Sequence, residues 1–516
     1  MKLDVFNKLV LEKRTIEETM LKLDTNKGPG PDGISPVIIK NCASELSTPL
    51  NLLFNESLEK GKVPLAWKMT AVTPIHKSGP RDNIKNYRAI SKQSCIPKIL
   101  DKLVNEFLRN YILSSISYAQ HGFMPNRSCA TNLICHSTYI ANSLSCQDIK
   151  QVDVVCTDFE KAFDRVKVNV LMKCLKSYGI NGSLYDWLES YLCSRLQYVV
   201  VNGYKSDLFI VPSGVPQGSH CGPTLFNILL NMSCQSLTGI NYQFYADDAK
   251  FSFKIRNIED CIFLQTKFNS FVQWCHEYGL ELNDRKCSTM TVSKSRSPIN
   301  FDYSIGSNIL TRINNFNDLG VIFDSKFSFN EDIERRVAKG RSLSGFLKRH
   351  TKEFRDETVS KSLFISLVRS NLEYCNIIWS PYYQETDKKI ENVQKSFLKF
   401  MLNPTGIRLE YEEMCNHYGL QSLRTRRKIT SIMMCFDILS GNLDCPEILA
   451  QLNFNCPVIL LRRHSMFKLK KHTTNFGEHN PVNVMMRNFN EVQHLFDFGM
   501  NKNQFKKKVR DFFSQQ

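Results

Sequence analysis

The chain has 516 residues, 42% hydrophobic and 23% charged, the balance of an ordinary globular protein with room for more than one domain. No apolar run approaches the ~18 residues of a membrane span, and Met1-Lys2-Leu3-Asp4-Val5 lacks the apolar stretch of a secretory signal, so membrane-spanning and secreted classes are set aside. The formal net charge of +17 favours a nucleic-acid partner, because each neutralised phosphate releases a counterion.

Residues 6–24 carry a helical period and run into Asn26-Lys27-Gly28-Pro29-Gly30-Pro31-Asp32-Gly33, a dense cluster of turn formers. Helical patterning resumes over 36–60. Residues 61–100 read as loops and short strands around Ala71-Val72-Thr73-Pro74-Ile75, and 98–114 as helix. Val152-Asp153-Val154-Val155-Cys156-Thr157-Asp158 is β-branched and apolar, the pattern of a buried strand. Helices are expected over 166–177 and 183–194, and Asn202-Gly203 marks a tight hairpin. Residues 216–222 read as a loop, 223–237 as a helix, and 242–255 as a hairpin with Asp247-Asp248 at its tip. A long helix is expected over 258–277, with short strands at 287–293, 299–305 and 318–324. From 331 onward helical signals dominate, with basic clusters at 424–428, 462–463, 468–471 and 506–510. Interleaved with Phe467, Phe476 and Phe505, these clusters are expected to form a surface for a nucleic-acid backbone.

The 18 cysteines include no CxxC pair and no zinc-ligand spacing, and the adjacent pairs Cys135-His136 and Cys275-His276 suit no single tetrahedral metal. They read as reduced, mostly buried small apolar residues, which implies a reducing compartment, nucleus or cytoplasm.

Two carboxylate sites carry chemistry. Asp158 closes an apolar strand, and Asp247-Asp248 sits at the tip of an apolar hairpin. Three acidic groups brought together raise one another's pKa unless a cation neutralises them. Oxygen-only ligands suit Mg²⁺, and two such ions support in-line displacement at phosphorus, the chemistry of nucleotide addition.

Asp158-Phe159-Glu160-Lys161-Ala162-Phe163-Asp164, Gly214-Val215-Pro216-Gln217-Gly218-Ser219 and Tyr245-Ala246-Asp247-Asp248 resemble, in order, three catalytic motifs of the reverse transcriptases of non-LTR (LINE-type, jockey-like) retrotransposons. The 28–33 cluster, Tyr87-Arg88-Ala89-Ile90-Ser91, Gln120-His121-Gly122-Phe123, and Trp274 with Asn283 and Lys286 are similar to the family's flanking motifs. So are Phe316-Asn317-Asp318-Leu319-Gly320-Val321, Leu372-Glu373-Tyr374 and Trp379-Ser380-Pro381, and the resemblance runs colinearly over about residues 20–400. Ala89, where the family usually has Pro, and His220-Cys221-Gly222-Pro223 depart from the pattern.

The resemblance implies an α+β right-hand polymerase fold. Its parts would be fingers over 1–150, a palm with an antiparallel sheet backed by helices over 151–330, a helical thumb over 331–400, and a basic helical extension over 401–516. It implies RNA-directed DNA synthesis with two Mg²⁺ ions, Mn²⁺ as substitute, held by Asp158, Asp247, Asp248 and the backbone carbonyl of Phe159. Lys77, Arg88, Phe163, Gln217 and Gly218 would hold the incoming deoxynucleoside triphosphate, with Phe163 blocking a ribose 2′-hydroxyl and Asp164 fixing the local turn. Lys286 would protonate pyrophosphate, and Leu319 and Gly320 would grip the primer. The implied partners are template RNA, a DNA primer or nicked target DNA, and no membrane. No endonuclease-like segment stands ahead of the fingers pattern, so the chain is expected to extend a primer without nicking DNA itself. A non-catalytic nucleic-acid-binding relic and a group II intron-type maturase are the alternatives.

Overall fold

The computed structural model describes residues 8–354, 356–403, 406–456, 465–472 and 474–515. Its strands are β1 (Met69–His76), β2 (Tyr87–Lys92), β3 (Gln151–Thr157), β4 (Arg195–Val201), β5 (Tyr204–Lys205), β6 (Phe209–Val211), β7 (Asn241–Tyr245), β8 (Asp248–Ile255), β9 (Ser288–Ser293), β10 (Ser304–Ile305), β11 (Asn308–Ile309), β12 (Thr311–Arg312), β13 (Asn315–Asp318) and β14 (Val321–Asp324).

The central sheet has the order β12-β9-β3-β8-β7, with β3 antiparallel to both β8 and β9. Because β3 is covered on both faces, its sequence is a continuous apolar run rather than an alternating one. Successive residues still point to opposite faces: Val155 joins the core beneath the helix Ile258–Tyr278, while Val152 and Val154 join a second core behind the sheet. Asp153 is buried between them and accepts hydrogen bonds from Gln151, Thr291 (2.8 Å) and Tyr303 (2.8 Å). A second sheet has the order β2-β1-β4-β5 with β6 on β4, and β1 pairs with β2 as an antiparallel hairpin.

Most expected elements appear within a few residues, including the helices Cys95–Ile112, Val168–Ser177, Gly182–Leu192, Cys221–Asn231 and Ile258–Tyr278. Asn202 and Gly203 both take positive φ between Val201 and Tyr204, as a two-residue hairpin requires. Two expectations need correction. The strand over 318–324 is instead a hairpin, β13–β14, turning at Leu319 (φ 47°) and Gly320 (φ 85°); a leucine in the left-handed region gives no turn signal. Of the strand over 299–305, only Ser304–Ile305 forms.

The helix Cys129–Ser145 had no counterpart in the sequence reading. A reciprocal capping box between Ser128 and Thr131 starts it, but 12 of its 17 residues are buried, so it lacks the one-sided period that betrays a surface helix. This helix anchors the second core, which is continuous from the back of the sheet through the helices Asn330–His350, Gln384–Leu402, Leu423–Leu439, Pro481–Val492 and Lys502–Ser514. Phe467 and Phe505 are interior residues of that core and Phe476 is half-buried against it, so they are not stacking platforms between basic clusters. Their burial is the reason they lie among helical polar residues. Arg426 is paired with Glu373, Arg427 with Asp387, Lys428 with Glu491 and Lys502 with Asp437. Arg462 and Arg463 lie outside the described residues. All 18 cysteines are free; nine are buried, six half-buried and three exposed. No helix among the described residues is long and apolar enough to cross a membrane.

Candidate active site

The β3–β8 register ends at Thr157 opposite Ala249, which sets Asp158, the next residue, across from Asp248. Tyr245 and Asp248 pair across the β7–β8 hairpin, leaving Ala246-Asp247 as its two-residue tip. Strand pairing alone therefore draws Asp158 together with Asp247 and Asp248, 89 and 90 residues further along the chain, at one edge of the sheet. Ala246 takes φ of 57°, a conformation a non-glycine residue holds only where its surroundings enforce it.

Those surroundings are the Gln120-His121-Gly122-Phe123 segment. The Gln120 side-chain carbonyl accepts from both Gly122 N (2.9 Å) and Ala246 N (3.2 Å). His121 N and the Asn132 amide donate to the Phe244 carbonyl, and Phe244 N donates to Ala119 O (2.8 Å). Gly122 lies so close that a Cβ there would collide with the Ala246 backbone. Arg127 ties the segment down from behind: its guanidinium donates to the carbonyls of Ser117 (3.1 Å) and Gln120 (2.6 Å) and forms a 2.7 Å ion pair with Asp444.

The carboxylates repel one another. Withdrawal from bulk water, then Asp247, Asp318 and Asp158, push the Asp248 carboxyl up to about 6, against the pull of Lys250. Asp247 is likewise raised, first by desolvation and then by Asp158, with Arg88 and Lys77 opposing. Asp158 is matched by Lys286, whose ammonium lies 2.8 Å from its carboxylate. The expected site residues Asp158, Asp247, Asp248, Lys77, Arg88 and Lys286 thus stand within one electrostatic neighbourhood. Among the described residues no three His, Cys, Asp or Glu side chains surround a single point as a ready ligand set. The donor chemistry fits divalent metal nonetheless, since crowded, oxygen-only carboxylates in a desolvated cleft gain most from a hard cation.

Because the folded pKa of Asp248 lies above its ordinary value near 4, this carboxyl favours the metal-free folded state below about pH 4, and the advantage is lost as pH rises through about 6. Asp248→Asn should therefore raise the thermal midpoint of metal-free protein at pH 7 and leave it unchanged at pH 4. The gain should be at most about 1 kcal/mol, because the side chain still reaches solvent. A midpoint that falls at pH 7 would refute the repulsion.

Around this edge, Lys77 and Arg88 project from the β1–β2 hairpin, where Ile75 pairs with Arg88 and Lys77 N donates to Asn86 O. Phe159 is buried against Phe226 and Phe271. Phe163 is half-buried, stacked on Phe226 at 4.7 Å and edge-on to Phe123. Gln217 donates to the Asp164 carboxylate (3.0 Å), so Asp164 contacts the loop after β6 rather than its own turn, and Gln217 O accepts from Ser91 N. Gly218, at φ 104°, lies where a Cβ would meet the Ser91 carbonyl, so the loop is docked on β2.

The Leu319-Gly320 turn is held by its carbonyls: Tyr374 OH donates to Leu319 O (2.7 Å), and Arg335 and Arg336 both donate to Gly320 O (2.8 Å). Sequence reasoning missed the buried ion pair beneath it, in which Lys250 of β8 meets Asp318 of β13. A lysine in an alternating strand reads as solvent-facing, and only the packing of β13 over β8 reveals otherwise. Arg127 and Asp444 were missed because no local pattern joins residues this far apart in the chain.

Residues 75–323 match the family model described as reverse transcriptase (RNA-dependent DNA polymerase). The chain is 28% identical over 342 residues to the RNA-directed DNA polymerase from mobile element jockey of Drosophila melanogaster, covering 63% of this chain and 37% of that protein. It is 24% identical over 284 residues to the Pol polyprotein of the type-2 retrotransposable element R2DM of the same species, covering 52% of this chain and 25% of that protein. Among solved structures, apo telomerase from Candida tropicalis aligns with a TM-score of 0.37 at 14% identity over 57% of this chain and 59% of that one, too distant to carry an argument. The chain spans about a third of the length of the jockey proteins it matches.

Proposed function

We propose, from the premise that residues 75–323 belong to the reverse transcriptase (RNA-dependent DNA polymerase) family, that this chain is the RNA-directed DNA polymerase of a non-LTR retrotransposon. The observation that carries the reading is the register that sets Asp158 opposite Asp248 and beside Asp247, under Lys77 and Arg88. Its partners are template RNA, a DNA primer or nicked target DNA, and deoxynucleoside triphosphates.

Asp158, Asp247, Asp248 and the Phe159 carbonyl would hold two Mg²⁺, with Mn²⁺ as substitute, and the ions would supply Lewis acidity for displacement at phosphorus. Every other role falls to the chain itself. Lys77 and Arg88 bind the triphosphate, the guanidinium in a bidentate fork. The Gln217-Gly218 loop supports the nucleotide from below, and the Leu319-Gly320 turn positions the primer. Lys286, whose ammonium lies 2.8 Å from the Asp158 carboxylate, would donate a proton to the departing pyrophosphate. The fingers, palm and thumb divide at about residues 150 and 330, and the helices after residue 400 share the thumb's core. Eighteen free thiols agree with a reducing compartment, nucleus or cytoplasm.

Primer extension on an RNA template tests the reading: deoxynucleotide addition should require Mg²⁺ or Mn²⁺ and stop on chelation. A chain that binds primer and template but adds no nucleotide with either ion would be a nucleic-acid-binding relic instead.

Phe163 tests the assignment of the sugar site. Its ring is stacked on Phe226 and meets Phe123 edge-on, yet stays half-exposed, so its remaining surface can meet a 2′-hydroxyl. Phe163→Val should raise ribonucleotide incorporation relative to deoxyribonucleotide by about 10-fold or more, the worth of roughly 1.4 kcal/mol of relieved clash. An unchanged ratio of the two kcat/KM values would make Phe163 a packing residue.

A further inference from the structure

A cleft of about 1080 Å³ opens beside the Leu319-Gly320 turn's support, between the segment 376–384 and the helices Leu423–Leu439, Pro481–Val492 and Lys502–Ser514. Eight Lys and Arg side chains line it against two carboxylates, Asp387 and Glu412. Asp387 is already engaged by Arg424 and Arg427. Arg369, its side chain only 13% exposed, has Glu373 at 3.9 Å, and that carboxylate is taken by Arg426. Arg510 is exposed and has no carboxylate within ion-pair distance among the described residues. Arg426 and Arg510 also press on Arg369, with Glu373 opposing, so three guanidiniums gather around one carboxylate at this end of the cleft, while Lys428 and Arg487 are paired with Glu491 and Glu478. A cluster of one sign in a cleft attracts a further anion.

The rim supplies rings. Tyr382 and Tyr383 are 37% and 55% exposed with centroids 4.3 Å apart, and Tyr382 is stacked on His479 at 4.2 Å. The cleft is at the upper end of the ~300–1,000 Å³ of small-molecule pockets, which favours an extended ligand over a free nucleotide. A cationic groove with solvent-facing aromatic rings suits an unpaired strand, whose bases can stack; a duplex would leave the tyrosines unused.

We propose that this cleft is a second nucleic-acid site that takes a single strand, its phosphates on Arg369, Arg426 and Arg510 and its bases on Tyr382 and Tyr383. The site adjoins the polymerase centre through Tyr374, which precedes the cleft wall and bonds to Leu319. It deepens the polymerase reading without depending on catalysis.

The test is binding of labelled 20-nucleotide oligo-U and oligo-dT to the full chain across a KCl series. Arg510→Gln, an exposed change, should flatten the slope of log affinity against log salt by about 0.7, and Arg369→Gln with Arg510→Gln by about 1.4. Tyr383→Ala should weaken binding by roughly 5- to 150-fold, the worth of one stacked base, and Tyr383→Phe should restore it. The oligomer bound more tightly identifies the strand as RNA or DNA. An unchanged slope in Arg510→Gln, or Tyr383→Ala binding within about twofold of the parent, overturns the proposal. The same substitutions placed on an Asp158→Asn background should give the same binding changes. Failure of primer extension with these changes intact would therefore remove the polymerase reading and leave the cleft. Extension with neither change would do the reverse.

Discussion

Asp158→Asn and Asp247→Asn should each abolish primer extension, by at least about 10³-fold, while primer–template affinity stays near that of the parent. Each substitution withdraws one unit of the negative charge that holds the cations, and metal stabilisation of the displaced oxygens is worth several kcal/mol. Folding should hardly respond. Among the described residues the Asp158 carboxylate has one ion-pair partner, Lys286, and that pair is partly open to solvent, so losing it costs no more than about 1 kcal/mol. Asp247→Asn relieves repulsion rather than removing a partner. Single-turnover extension with binding measured in parallel separates the two effects. Near-parental extension in either variant would refute the assignment of the metal carboxylates.

Deleting residues 401–516 should cost the fold itself. The sequence alone predicts a basic extension whose loss weakens template binding and flattens its salt dependence. The structure instead runs one core through it: Leu133, Ile134, Ile140 and Leu144 of the helix Cys129–Ser145 share that core with Cys445, Ile448, Val482, Met485 and Met486. Exposing each large apolar side chain costs about 1.5–3 kcal/mol, which exceeds the whole stability of a typical domain within a few residues. Deletion also strips Asp444 from Arg127, whose side chain is 2% exposed, leaving a buried guanidinium that lacks its carboxylate; such losses cost about 3–5 kcal/mol. Because Arg127 holds Gln120, and Gln120 holds Ala246, the damage reaches the catalytic hairpin. We expect residues 1–400 to lose cooperative unfolding and primer extension together. A truncated chain that melts within a few degrees of the parent and differs only in its salt slope would show that the extension is a separable module.

Local chemistry made much of this protein legible. The apolar run before Asp158, the paired Asp247-Asp248 between apolar strands, and the Asn202-Gly203 turn each follow from short-range rules of period and backbone freedom; the strand and the Asn-Gly turn stand where those rules put them, and the second hairpin forms one residue earlier, with Ala246-Asp247 at its tip and Asp248 opening β8. The family resemblance carried on those motifs agrees with the match over residues 75–323. What tertiary structure alone decided is everything that depends on desolvation at long range. Lys250 and Asp318 look like surface charges in their strands until one strand packs over the other. The helix Cys129–Ser145 is hidden because burial on nearly every side erases its period. Phe467 and Phe505, read as stacking rings among cations, are interior because an aromatic side chain gains more from leaving water than from waiting at a surface. A sequence states which groups are apolar, charged or permissive; which of them leave water, and beside whom, is fixed only when the chain closes on itself.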